Sequence, residues 1–138
     1  MPFNADGLTS ADIAEINTMY SEWVPAIIAR DWDRLLALYT DDTVVMPPHS
    51  PPIVGKEAFR TWADAGPRFT HFDFDVAEIV GEGNLAFVRG QYRLTLEVPG
   101  APGPIEDVGS FIEIREKQSD GRWLLARDIF NSDLAAPE

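Results

Sequence analysis

The chain has 138 residues, a formal net charge of -12, a sequence pI of about 4.4 and no cysteine. Its length and 45% hydrophobic content suit one domain, 1–138, around a single core. The acidic balance argues against nucleic acid and anionic membrane surfaces as partners, and the missing thiols exclude disulfides, thiolate metal sites and cysteine nucleophiles.

The opening MPFNADGLTS lacks the basic segment and apolar run of a signal peptide, and no stretch nears membrane-spanning length. A soluble cytoplasmic protein is the expectation. Residues 9–30 read as a helix: Thr9 and Asp12 fit a capping box, and Ile13, Ile16, Tyr20, Trp23 and Ile27 recur at helical spacing. Pro25 removes a donor inside that pattern, which predicts a kink. Asp31 caps a short second helix with Trp32, Leu35, Leu36 and Tyr39 on one stripe. Thr43–Met46 reads as a strand. The segment PPHSPP then stiffens the crossing to a third helix that opens at Gly55 and ends at Gly66-Pro67.

From Phe69 the apolar period becomes two. It predicts strands over about 70–80, 84–98, 105–117 and 122–132, joined at Gly81–Asn84, by the loop PGAPGP, and at Ser119–Gly121. Strands this long must twist and curve, so the expected fold is α+β, with a curved antiparallel sheet wrapped around three N-terminal helices.

This order, with the strings ARDWDRLLALYTDDTVVMPP, IVGKEAFRTW, GNLAFVRGQY and DVGSFIEIREKQSDGRWLLARDIFNSD, resembles the nuclear transport factor 2-like superfamily in its SnoaL-like and ketosteroid isomerase-like branch. The resemblance covers about residues 11–133. It implies a cystatin-like cone with a mostly apolar central pocket, and a homodimer through the outer sheet face. The superfamily holds isomerases, cyclases, hydrolases and non-catalytic modules, so the fold alone does not decide the function. The steroid isomerase residues are not reproduced. The position of their base falls near Met46 or Pro47, Trp23 stands where a tyrosine donor would, and the second acid falls near Gly109.

The remaining polar residues give the candidate site. His49 is a candidate acid or base at the pocket rim, because histidine titrates near neutrality and prolines fix its backbone. Its plain alternative is a surface loop residue. Asp107 is the second candidate, either a pocket acid or a solvated carboxylate at a strand start. Asp128 lies mid-strand, where a carboxylate is poorly suited. It either pairs with an arginine such as Arg89 or Arg127, the favoured alternative, or reaches the pocket. Strand parity puts Asp107, Gly109 and Phe111 on one face, and Asp128 with Leu124, Ala126 and Phe130. Tyr20, Trp23, Phe59, Trp62, Arg89, Phe111 and Asp128 are the candidate ligand-binding residues. The alternation in THFDFDV aligns His71, Asp73 and Asp75, but neighbours nearly 7 Å apart along a strand do not converge on one ion. No metal and no cofactor is expected. Two functions stand: a small-molecule pocket with acid–base chemistry, or a non-catalytic binding or dimerisation module.

Overall fold

A computed structural model describes residues 7–134. The ends of the expected 1–138 domain therefore lie outside the described residues. Helix α1 spans Ser10–Ala29 and continues through Pro25. Thr9 caps it: its hydroxyl accepts from Asp12 N at 3.0 Å, and Asp12 Oδ2 accepts from Thr9 N at 3.1 Å. Two donors that the first turn cannot satisfy internally are thus paired. Helix α2, Trp32–Leu36, begins at Asp31, whose carboxylate accepts from Arg34 N. Strands β1 (Tyr39–Met46) and β2 (Ile53–Val54) precede helix α3 (Lys56–Ala65). Four long strands follow: β3 (Arg68–Glu82), β4 (Leu85–Glu97), β5 (Ile105–Lys117) and β6 (Trp123–Ser132).

The strands form one curved, unclosed sheet in the order β2-β1-β6-β5-β4-β3. All neighbours are antiparallel except β1 and β6, which run parallel. Two details depart from the sequence expectation. β1 starts four residues early, at Tyr39, because Leu38 O already accepts Leu125 N and the buried Thr43 hydroxyl bonds to β6 carbonyls. The exposed Asp41 and Asp42 hide that strand from an apolar pattern. β2 is also unforeseen. After the proline turn the chain folds back onto β1, pairing Val44 with Val54 and Val45 with Ile53.

The helices pack on the concave face of the sheet. α1 buries Ile16, Met19, Trp23, Ala26 and Ile27. α3 buries only Phe59 and Ala63. Asp12 fastens the start of α1 to the sheet, accepting from Lys117 Nζ at 2.9 Å and Trp123 Nε1 at 3.1 Å. Among the described residues no helix is long and apolar enough to cross a membrane.

Candidate functional site

Between α1, α3 and the concave sheet lies a cavity of about 210 Å³. Its walls are mainly aromatic. Tyr20 and Trp23 come from α1, Phe59 and Trp62 from α3, Phe72 and Phe74 from β3, and Phe111 from β5. The rings hold one another: Tyr20 and Phe74 have centroids 4.7 Å apart, and Trp23 and Phe72 4.8 Å. Alternation puts these β3 residues inside, because Phe72 and Phe74 face the helices while His71, Asp73 and Asp75 are exposed. The mouth lies beside α3, where Trp62 lines the cavity yet is 40% exposed.

Two carboxyls enter this apolar space. Glu113 of β5 and Asp128 of β6 are directly opposed across the strand pair and both line the cavity. Opposed side chains on one face of a sheet lie about 5 Å apart at Cβ, so the carboxyls are neighbours. Glu113 is held on two sides. The Tyr20 hydroxyl donates to Oε1, and Arg115 donates to both oxygens at 3.3 and 3.4 Å. Arg115 is fully buried, donates also to Ile16 O, and lies over the Tyr20 ring at 5.2 Å. Burial alone would lower the Arg115 pKa; the Glu113 charge and Tyr20 outweigh it, so the guanidinium stays charged.

Asp128 behaves differently. Burial, and then the Glu113 charge, hold its pKa well above the usual carboxylate range, against a smaller opposing effect of Arg115. Its carboxyl is sunk below the protein surface but opens onto the cavity, so the side chain is only partly covered by protein. Three tyrosines complete the polar set. Burial and then the Glu113 charge raise Tyr20, burial and then the Asp128 charge raise Tyr39, and burial with the Asp107 hydrogen bond raises Tyr92. All three remain neutral donors at physiological pH. Trp23 Nε1 donates to the Tyr39 hydroxyl at 2.8 Å.

Of the residues singled out in the sequence, Tyr20, Trp23, Phe59, Trp62, Phe111 and Asp128 come together around the cavity. Arg89 does not. It is exposed on the opposite face, its Nε 2.9 Å from Glu78 Oε1. His49 is exposed in the proline turn, with φ of 58°, and lies outside the cavity wall. Asp107 also lies outside that wall. It accepts from the Ser132 hydroxyl and lies 3.0 Å from the Tyr92 hydroxyl, which makes it a support for a wall residue. His49 and Asp107 therefore do not form one acid–base site.

The favoured ion pair of Asp128 is not formed either. Arg89 turns to Glu78, and Arg127 turns to Asp42. Simple parity separates Leu125 from Asp128, yet both line the cavity. An irregularity explains this, since Arg115 pairs with Leu125 but Ile114 with Arg127, leaving Ala126 as an extra residue. Sequence reasoning missed Glu113 and Arg115. Their signal was available, because the face of Asp107, Gly109 and Phe111 continues to both at period two. Among the described residues no group of three or more His, Cys, Asp or Glu is placed to hold a metal ion.

Similar proteins share this frame. The family described as SnoaL-like domain matches residues 20–125. A ketosteroid isomerase-like protein from Erwinia carotovora atroseptica SCRI1043 is 22% identical, with a TM-score of 0.81, over 92% of this chain and 100% of its own. A conserved protein from Planctomyces limnophilus DSM 3776 is 26% identical, with a TM-score of 0.79, over 90% and 99%. ActVI-ORFA from Streptomyces coelicolor is 14% identical, with a TM-score of 0.74, over 90% and 98%. No curated protein sequence matches.

Proposed function

Since the chain belongs to the SnoaL-like domain family, within the nuclear transport factor 2-like superfamily, we propose that it binds a small apolar or amphipathic molecule in the cone cavity and engages it through Asp128, the group available there for acid–base chemistry. One observation carries this reading: an apolar, aromatic cavity whose lining includes Asp128, a carboxyl that makes no ion pair with Arg89 or Arg127 and whose pKa is raised by burial and by Glu113. Perturbed carboxyls in clefts are the usual material of general acids and bases. Glu113 is committed to Tyr20 and Arg115, so Asp128 is the group free to act. A binding module without turnover is the second reading. It is favoured by the position of His49 and Asp107 outside the cavity, which leaves one titrating group where many acid–base sites use two.

A neutral fluorescent probe of apolar sites, N-phenyl-1-naphthylamine, tests the pocket. It should bind the native protein and be excluded by Ala63→Trp, which fills the cavity from α3. Equal binding to a folded Ala63→Trp variant, judged by circular dichroism, would refute the reading. We also propose that two copies pair through the outer sheet face, around Ile112 and Ile129.

A further inference from the structure

The charges around the cavity balance only while Asp128 holds its proton or a cation takes that proton's place. Among the described residues, the ionisable ones lining it are Glu113, Asp128 and the tyrosines Tyr20, Tyr39 and Tyr92, and no lysine, arginine or histidine lines it. One cation, Arg115, stands behind Glu113, where Tyr20, Glu113 and Ile16 O hold it in place. Two opposed carboxyls therefore share one positive charge. Glu113 and Arg115 from β5 and Tyr39 from β1 act electrostatically with Asp128, and Tyr20 from α1 and Tyr92 from β4 share the cavity lining; the described lining from α3 and β3 carries no ionisable side chain.

We propose, resting on the pocket reading above, that the ligand is an apolar amine whose ammonium group pairs with Asp128. Three features favour an amine over other polar groups. With the Asp128 proton released, Glu113, Asp128, Arg115 and the ammonium sum to zero, whereas an anion in the same place would leave a net negative charge. The cavity wall is built from aromatic rings, whose faces attract cations and whose edges pack on hydrocarbon. The protein's net charge of -12 attracts cations and repels anions during encounter. An anionic ligand would meet two carboxyls and no free cation. A neutral ketone or alcohol would leave Asp128 protonated and use it only as a donor.

The proton balance distinguishes these cases. Burial and the Glu113 charge favour the protonated form of Asp128 in the unliganded protein. An ammonium ion arriving from water brings its own proton, so pairing releases the Asp128 proton to solvent, and the bound pair is carboxylate and ammonium. Binding of a neutral ligand releases none.

Four ligands sharing one compact hydrocarbon cage provide the test: 1-aminoadamantane, 1-adamantanol, 2-adamantanone and adamantane-1-carboxylate. Isothermal titration calorimetry in buffers of different ionisation enthalpy reads both affinity and proton release. The amine should bind about tenfold or more tightly than the alcohol and ketone, with the carboxylate weakest. It should release protons on binding, and fewer as pH rises and Asp128 ionises in the free protein. Asp128→Asn should abolish both the proton release and the amine preference, bringing the amine affinity down to that of the ketone or below. Ketone or alcohol binding as tight as the amine, or amine binding without proton release at any pH tested, would overturn the amine assignment and leave the pocket reading intact. Failure of all four ligands and of N-phenyl-1-naphthylamine would remove the pocket reading itself.

Discussion

Asp128 and Asp12 are both carboxyls shielded by the fold, and they should give opposite pH dependences. The native pKa of Asp128 is raised, chiefly by burial and then by Glu113. As pH rises past about 3.9 the unfolded chain loses this proton first, so stability falls until the native group titrates too. Asp128→Asn keeps the shape and removes the titration. Its melting temperature should exceed that of the native protein at pH 7 and converge with it below about pH 4. Asp12 is the reverse case. Lys117, then the Thr9 backbone N–H, then Trp123 lower its pKa well below the usual range. Its stabilisation is present above about pH 3.9 and is lost as pH falls below that value. Asp12→Asn should therefore lower the melting temperature at pH 7, and the difference should shrink in acid. Thermal melts across pH check both, and parallel curves would contradict either assignment. The Asp12 cap was legible in the sequence because Thr9-x-x-Asp12 is local. The Glu113–Asp128 pair was not, because it joins two strands and depends on their register.

At the scale of elements, local signals found the three helices and the four long strands, whereas bulges and close approaches escaped them. The Ala126 irregularity in β6 turns Leu125 and Asp128 to the same side, and nothing in WLLARDIF marks it. β2 was hidden because the prolines before it read as loop, although the pairing needs only Ile53 and Val54. Gly109 gives an element-scale test. A Cβ there would lie 1.9 Å from Asn131 O and 2.6 Å from the Tyr92 hydroxyl. The first contact is backbone of the paired strand and cannot swing away. Gly109→Ala should force β5 from β6 and cost about 2–4 kcal/mol, read from urea denaturation. A loss below about 0.5 kcal/mol would show that the strands yield easily there. The same crowding explains why no second acid stands at this position. Any side chain at 109 would displace the Tyr92 hydroxyl, which Asp107 and Asn131 O already engage.

At the scale of the molecule, one sheet face is occupied by the helices and cavity, and among the described residues the other carries an exposed apolar centre. Ile112 and Ile129 oppose each other across β5 and β6, and are 41% and 48% exposed. Met46 of β1 lies beside Ile129, and Arg89 of β4 beside Ile112, where it pairs with Glu78. An apolar centre with charged flanks of both signs suits a twofold interface, in which each patch meets its own copy. Such an interface needs roughly 1,000 Å² or more of buried surface, which long strands crossing face to face can supply. Ile112→Glu sets the test, because it places two like charges across the axis with no cation facing them. In the separated chain residue 112 is exposed, so the substitution should change monomer stability by less than about 0.5 kcal/mol. Sedimentation velocity should show the native protein as a dimer and Ile112→Glu as a monomer, with far-ultraviolet circular dichroism and N-phenyl-1-naphthylamine binding unchanged. A native protein that stays monomeric at about 100 μM, a concentration above the dissociation constant of ordinary stable interfaces, would refute the pairing. Retained ligand binding in the monomer would place the cavity wholly within one chain, as its lining from α1, α3 and the concave sheet requires.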